Sequence, residues 1–433
     1  MAEKEPISQT SPINGHVNGN GVINSKPKDH IEHSEKTPSQ WIMGDAFTAR
    51  AKHHASIKAL WETKWKFPCE KGVYPFHDGK FGDFERVFNY LIENDINDGY
   101  GDAYTKAFFP VCDDLLKEAE SCAASGKSDQ ASDIYLRVAC LYRISRFPIM
   151  NSPVKWKAWE AQKETYMKAA ETWTEPIREE SIPHKAACGA DGPTIPIYYR
   201  VPRSATEETP CPTMLLITGL DGHRPDNTQR TSEFLQRGWG CVIVEIPGTA
   251  DCPADPKDAT SPDRLWDSVF DWMTDKKIFS IPHVLVWGLS CGGYYAVRIA
   301  HTHRKWLKGV VAHGAGVHHC FSREWLDEAD GHEYPFKLCP ALAQKFGYDN
   351  VEDFKENSQK TFSLLETGIL EKESTRLLLV NGTHDGLMPI EDSMLLFNYS
   401  SPKEARFFSK YLHMGYPIAN GTVYSWLDSV MTS

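Results

Sequence analysis

Ser290 sits in the pentapeptide Gly288-Leu289-Ser290-Cys291-Gly292. Small residues on both sides of a serine let a strained turn lift its hydroxyl clear of the backbone. A serine hydroxyl is a weak nucleophile and needs a base that an acid orients. Two later residues suit those roles, Asp385 in Asn381-Gly-Thr-His-Asp385-Gly and His413 in Leu412-His413-Met-Gly415. The reaction also needs two N–H donors aimed at a developing oxyanion. The backbone N–H of Cys291, directly after the nucleophile, is one, and the Cys291 sulfur is no rival to the serine. The other is expected in the turn Thr218-Gly219-Leu220-Asp221-Gly222, with Leu220 the choice and Gly219 or Asp221 one position away. Asp221 either faces substrate or caps this turn.

The surrounding elements give these residues their places. Val284–Trp287 reads as a buried strand and Gly293–Ala300 as a helix, so the pentapeptide is a strand–turn–helix elbow. At the start of that helix the dipole and free N–H groups favour negative charge. Met214–Ile217, Cys241–Ile246, Gly309–Ala312 and Arg376–Val380 are further short apolar runs, the pattern of strands buried on both faces. Ile195–Val201 reads as an early strand and Ala405–Tyr411 as a last, more exposed one. Amphipathic segments such as Leu265–Met273 fit between them. Strand and helix in alternation predict a mostly parallel sheet with helices on both faces. In such a sheet the nucleophile comes first, the acid after a late strand and the histidine last. That order favours Asp385 over Glu324, and His413 over His384, His313, His318 and His319. His384 is adjacent to the acid and should point away from it.

Residues 1–38 read as a disordered tail, because Asn-Gly pairs and polar neighbours cannot offset the entropy of ordering. Residues 39–178 read as a helical lid domain. Ile134, Val138, Leu141 and Tyr142 make one apolar stripe, and Trp159, Tyr166, Ala170 and Trp173 another, parted by Ser152-Pro153. Residues 179–433 form the sheet domain, with a small helical cap inserted at about 317–370.

The 433 residues are 41% hydrophobic and 24% charged, enough for a sizeable core. A net charge of -11 argues against a nucleic-acid partner. No apolar run is long enough to span a membrane, and no secretory signal is visible at the start. Eleven cysteines without a Cys-x-x-Cys pair fit reduced thiols in a cytoplasmic protein. Docking on endosomal vesicles stays open.

The elbow, the Thr-Gly-Leu-Asp-Gly turn at 218–222, the His384-Asp385-Gly386 to Pro389 segment and the final His413 resemble one branch of the α/β-hydrolases. Its members carry an N-terminal helical domain. Within the branch the chain is similar, over about residues 40–433, to the fungal yellowish-green-type hydrolases that shorten polyketides on the route to dihydroxynaphthalene melanin. The branch also holds a bacterial hydrolase that cleaves a carbon–carbon bond in a nicotine breakdown product, and esterase-like proteins. The resemblance implies a carbon–carbon hydrolase that removes an acyl side chain from a naphthol or naphthopyrone precursor to give 1,3,6,8-tetrahydroxynaphthalene. It implies no metal and no organic cofactor, an aromatic polyketide substrate and a homodimer. Trp325 and Tyr416 are expected among the residues that wall the substrate pocket. A carboxylesterase or thioesterase acting on another secondary metabolite would use the same motifs. A non-catalytic binding protein on a hydrolase scaffold is the reading from another class.

Overall fold

A computed structural model describes residues 40–399 and 403–433, so the expected tail at 1–38 lies outside the described residues. The strands are β1 (Arg178–Pro183), β2 (Thr194–Arg200), β3 (Cys211–Ile217), β4 (Gly240–Val244), β5 (Phe279–Leu289), β6 (Gly309–His313), β7 (Leu377–Gly382) and β8 (Lys403–Phe408). They form one sheet in the order β1-β2-β4-β3-β5-β6-β7-β8. β2 runs antiparallel to both neighbours, and the strands from β4 to β8 are mutually parallel. This is the α/β-hydrolase arrangement.

The apolar runs are continuous because both sheet faces are covered. Leu215, Ile217, Val284, Val286, Val310 and Leu377 face one core. Their chain neighbours Met214, Leu216, Leu285, Trp287, Val311 and Leu378 face the other. Cross-strand register sets Ile217 beside Gly288, Gly288 beside Ala312, and Ala312 beside Leu379. The turns that follow β3, β5 and β7 therefore leave from one end of the sheet, where ligands of such sheets bind.

Two edge strands differ from the sequence reading. β1 is polar and largely exposed, so it carries no apolar run to find. β8 stops at Phe408 rather than Tyr411, because Lys410 turns the chain with φ 62°.

Helices Ser128–Ser145 and Pro153–Ala170 pack against each other before the sheet begins. Ser152 caps the second through its hydroxyl, and Pro153 takes the first-turn position where a missing N–H costs nothing. Trp173, placed by its spacing on this helix, falls just past its end. Between β6 and β7 lie helices Arg323–Ala329, Cys339–Lys345 and Val351–Phe362. Phe336, in this inserted segment, packs into the helical region's own core against Trp65 and Tyr104, at ring-centroid distances of 5.8 and 5.6 Å. Among the described residues, the helical region and the sheet belong to one compact unit. No helix among the described residues is long and apolar enough to cross a membrane.

A buried polar seam joins helices to sheet. Arg146 donates to the Asp221 carbonyl at 2.9 Å and to Asp226 at 2.8 Å. Gln162 donates to the other Asp226 oxygen at 2.6 Å. Glu245 accepts from the Thr218 hydroxyl at 2.6 Å and from the Arg224 N–H at 2.7 Å, and His223 Nδ1 lies 2.9 Å from it. Both ends of the Thr218–Gly222 turn are thus tied down by side chains without solvent access.

Candidate active site

β5 ends at Leu289 and the helix Cys291–Thr302 begins two residues later, leaving Ser290 between them at φ 57°, ψ -123°. A non-glycine residue at positive φ is strained and persists where its surroundings hold it. Here the Ser290 N–H donates to the His313 carbonyl at 2.8 Å and the Gly293 N–H to the Ser290 carbonyl at 2.7 Å. The two flanking glycines are required by close approach. A Cβ on Gly288 would lie 2.3 Å from the Gly292 carbonyl oxygen, and one on Gly292 only 2.2 Å from that of Thr218. The elbow is therefore pressed against the Thr218–Gly222 turn.

His413 Nε2 lies 2.8 Å from Ser290 Oγ, and its Nδ1 lies 2.7 Å from Asp385 Oδ2. The other carboxylate oxygen accepts the N–H groups of Leu387 and Met388 at 2.8 and 2.9 Å. With Oδ1 so occupied, Oδ2 is directed to the imidazole, whose Nδ1 must donate and whose Nε2 is then the acceptor facing the serine. Burial alone would lower the His413 pKa. The charge and hydrogen bond of Asp385, joined by Glu333 and Asp221, outweigh it and hold the ring above its usual value.

Two side chains fix the acid loop and the histidine loop to each other. Asn381 Oδ1 accepts from the N–H groups of Gly382 and Met414 at 2.8 and 2.9 Å. Glu333 Oε1 accepts from the N–H groups of Gly386 and His413, both at 2.9 Å. Burial raises the Glu333 carboxyl, with the Asp385 charge adding to it and Lys64 opposing.

The triad opens on a cavity of about 670 Å³. Its wall includes Trp65, Tyr74, Arg143 and Phe147 from the helical region, Asp221, Asp226 and Arg230 after β3, Glu333 and Tyr334 from the inserted segment, and Met414 and Tyr416 after the histidine. The volume suits a small organic molecule.

The other sequence candidates fall on both sides of this wall. Tyr416 lines the cavity, its hydroxyl 3.2 Å from His77 Nε2. Asp221 lines it too and accepts the Tyr74 hydroxyl at 2.7 Å, so it does more than cap its turn. Trp325 is a correction: it is buried beside Trp41, Phe47 and His332 and is not part of the wall. Its indole N–H reaches the Leu387 carbonyl at 3.3 Å, so it packs behind the acid loop. The Leu220 and Cys291 side chains are buried away from the cavity. The Cys291 thiol is pushed up to about 12 by burial, which leaves it inert as a nucleophile. The Gly219 N–H is already engaged with the Gly222 carbonyl at 3.2 Å.

The rival groups are occupied elsewhere. His384 Nδ1 is 3.2 Å from the Thr383 hydroxyl, and Glu324 accepts the Trp41 indole N–H at 3.0 Å. His313 Nε2 is 2.6 Å from the Met414 carbonyl, and His318 Nδ1 is 2.7 Å from the Ser363 hydroxyl. His319 is buried edge-on to Trp41. Among the described residues no three His, Cys, Asp or Glu side chains converge as a metal site requires. Sequence reasoning missed Glu333, Tyr74, Arg143 and Arg230. Each lies far from the elbow in sequence, outside any short motif.

Several known proteins are similar to this chain. The chain is 24% identical over 281 residues to Esterase FrsA of Pectobacterium atrosepticum, covering 64% of this chain and 65% of that one. It is 23% identical over 190 residues to 2,6-dihydropseudooxynicotine hydrolase of Paenarthrobacter nicotinovorans, covering 44% and 49%. The alignments thus span under two thirds of each relative's length. The crystal structure of 2,6-dihydroxy-pseudo-oxynicotine hydrolase superposes with a TM-score of 0.62 at 17% identity, over 76% of this chain and 88% of that one, which shows a common fold. Residues 112–432 match the family described as Esterase FrsA-like. That match takes in the helix pair, the whole sheet, the elbow and the two loops that carry the acid and the histidine, and the chain belongs to the FrsA-like esterase family.

Proposed function

We propose that this hydrolase cleaves a carbon–carbon bond, removing an acyl side chain from a polyketide naphthol or naphthopyrone to give 1,3,6,8-tetrahydroxynaphthalene for melanin pigment. The observation that carries the reading is a triad joined to a carboxyl group held toward its neutral form in the same cavity. An aryl ketone resists hydrolysis until its ring carbon is protonated, and Glu333 is the acid for that step. Its proton passes to the acyl-bearing carbon while the phenolic hydroxyl returns one to the carboxylate, which turns the hydroxyaryl ketone into a β-diketone tautomer. Ser290 Oγ then attacks the side-chain carbonyl as His413 Nε2 takes its proton and Asp385 steadies the imidazolium. The N–H groups of Cys291 and Leu220 hold the oxyanion. Collapse breaks the bond to the ring, which leaves as an enolate and takes the proton from His413 on returning to the aromatic form. Water, deprotonated by His413, then frees the acid from Ser290. The helical region serves as the lid of this site, and the protein acts as a homodimer.

Mass analysis of products from acylnaphthol and naphthopyrone substrates tests the reaction. Release of tetrahydroxynaphthalene and the free acid is expected. Unchanged ketone beside rapid aryl-ester turnover would instead favour an esterase, the reading that the family's description supports. A Ser290→Ala protein that keeps full biological activity would favour a binding protein.

A further inference from the structure

We infer that Arg230, with Arg143 beside it, forms an oxyanion subsite in the catalytic cavity, built for a phenolate, enolate or carboxylate on the part of the substrate that leaves. The inference rests on the hydrolytic reading of the cavity. Both guanidinium groups line it. The Nε atoms of Arg230 and Arg143 are buried without a hydrogen-bond partner. Arg143 shares its one carboxylate, Asp226 at 3.5 Å, with Arg146 at 2.8 Å. Arg230 has no carboxylate within ion-pair distance among the described residues. Its neutral contacts are the Asn227 amide oxygen at 3.0 Å and the Trp287 ring, 5.6 Å from its Cζ.

A buried guanidinium without a counter-charge is costly and is normally paired. A ligand oxyanion would supply the missing charge, and a planar guanidinium suits a delocalised oxygen anion. The nearby groups do not compete for that place. His77 is held neutral, its pKa lowered to about 3 by burial and the two arginines. Asp221 is engaged by the Tyr74 hydroxyl at 2.7 Å. In the proposed reaction the oxygen on the acyl carbon goes to the N–H groups beside Ser290. The ring, which leaves as an enolate, needs a positive site of its own, and Arg230 provides it.

The test is fluorescence titration of the full chain with 3-hydroxy-2-naphthoate and with neutral 2-naphthol. The naphthoate should bind roughly tenfold tighter or more. Arg230→Gln should abolish that preference, lowering naphthoate affinity far more than 2-naphthol affinity. Equal affinities in the native protein, or an undiminished preference in Arg230→Gln, would overturn the subsite. If the glutamine variant does not fold, Arg230→Lys decides. It keeps the charge but loses the planar fork, so a reduced preference is expected and an unchanged one refutes the role. Binding requires no turnover. An anion preference in a protein that leaves acylnaphthols intact would therefore sink the proposed reaction and leave the subsite standing.

Discussion

His413 faces the carboxyl groups of Asp385, Glu333 and Asp221, Asp385 nearest, and in the proposed reaction its protonation state sets the pH range of catalysis. The base must be neutral to accept the Ser290 proton. Because its pKa is raised, the acid limb of kcat/KM should lie above about 6.5, the usual imidazole value. Asp385→Asn removes the nearest charge and leaves the imidazole in the wrong tautomer. It should move that limb to lower pH and reduce kcat by about 10⁴-fold. A pH–rate profile of both proteins checks this, and an unshifted limb would mean that another group titrates. The same shift acts on stability. The charged His413 is favoured in the fold, so its contribution is complete below the unfolded pKa and is lost as pH rises through the folded one. Glu333→Gln keeps the shape and can still accept the two loop N–H groups, but it has no acidic proton. It should cut ketone cleavage by about 10²-fold or more while ester turnover falls far less. Equal losses on both substrates would make Glu333 a positioning group for the two loops it joins.

At the scale of elements, what could be read in the sequence was what one short segment determines by itself. The elbow was legible because strand, strained turn and helix are adjacent, and the chain order of Ser290, Asp385 and His413 followed from the strands between them. Strands β3 to β7 were legible because burial on both faces leaves an unbroken apolar run. β1 was not, since an exposed edge strand is specified by its partner β2. Glu333 and Arg230 were not, because their places depend on how an insertion and the helix Thr228–Gln236 fold back over the sheet. Trp325 shows the converse error: a large aromatic in a cap is as well used behind a catalytic loop as inside a pocket. The seam between Arg146 and Asp226 belongs to this scale as well. Arg146→Met removes the cation that links the helical region to the Asp221 carbonyl. It should leave Asp226 under-compensated and cost about 3–5 kcal/mol, read as a lower midpoint in urea denaturation.

Over the whole molecule, the cavity is a joint product of the helical region, the sheet turns and the insertion between β6 and β7, so no one of these makes it alone. The chain carries a net charge of -11. Its catalytic cavity nonetheless sets Lys64, Lys71, Arg143 and Arg230 against Asp221, Asp226 and Glu333, and burial disfavours the ionised form of Glu333. If the proposed function holds, this excess of cations should favour acidic small molecules over cationic ones. Phe336 clamps these parts together. It is the residue of the insertion that enters the helical core, and Glu333, Tyr334 and Pro335 just before it line the cavity. Phe336→Ala should cost about 3 kcal/mol through the void left among Trp65 and Tyr104. It should also let the Glu333 segment drift from the acid and histidine loops, and a displacement of about 1 Å there is enough to lower kcat/KM by tenfold or more. Phe336→Leu fills most of the space and should restore both properties together. A thermal denaturation series run beside kcat/KM would show whether they move as one. A variant that loses stability with full activity would mean that the insertion holds Glu333 without help from the helical region.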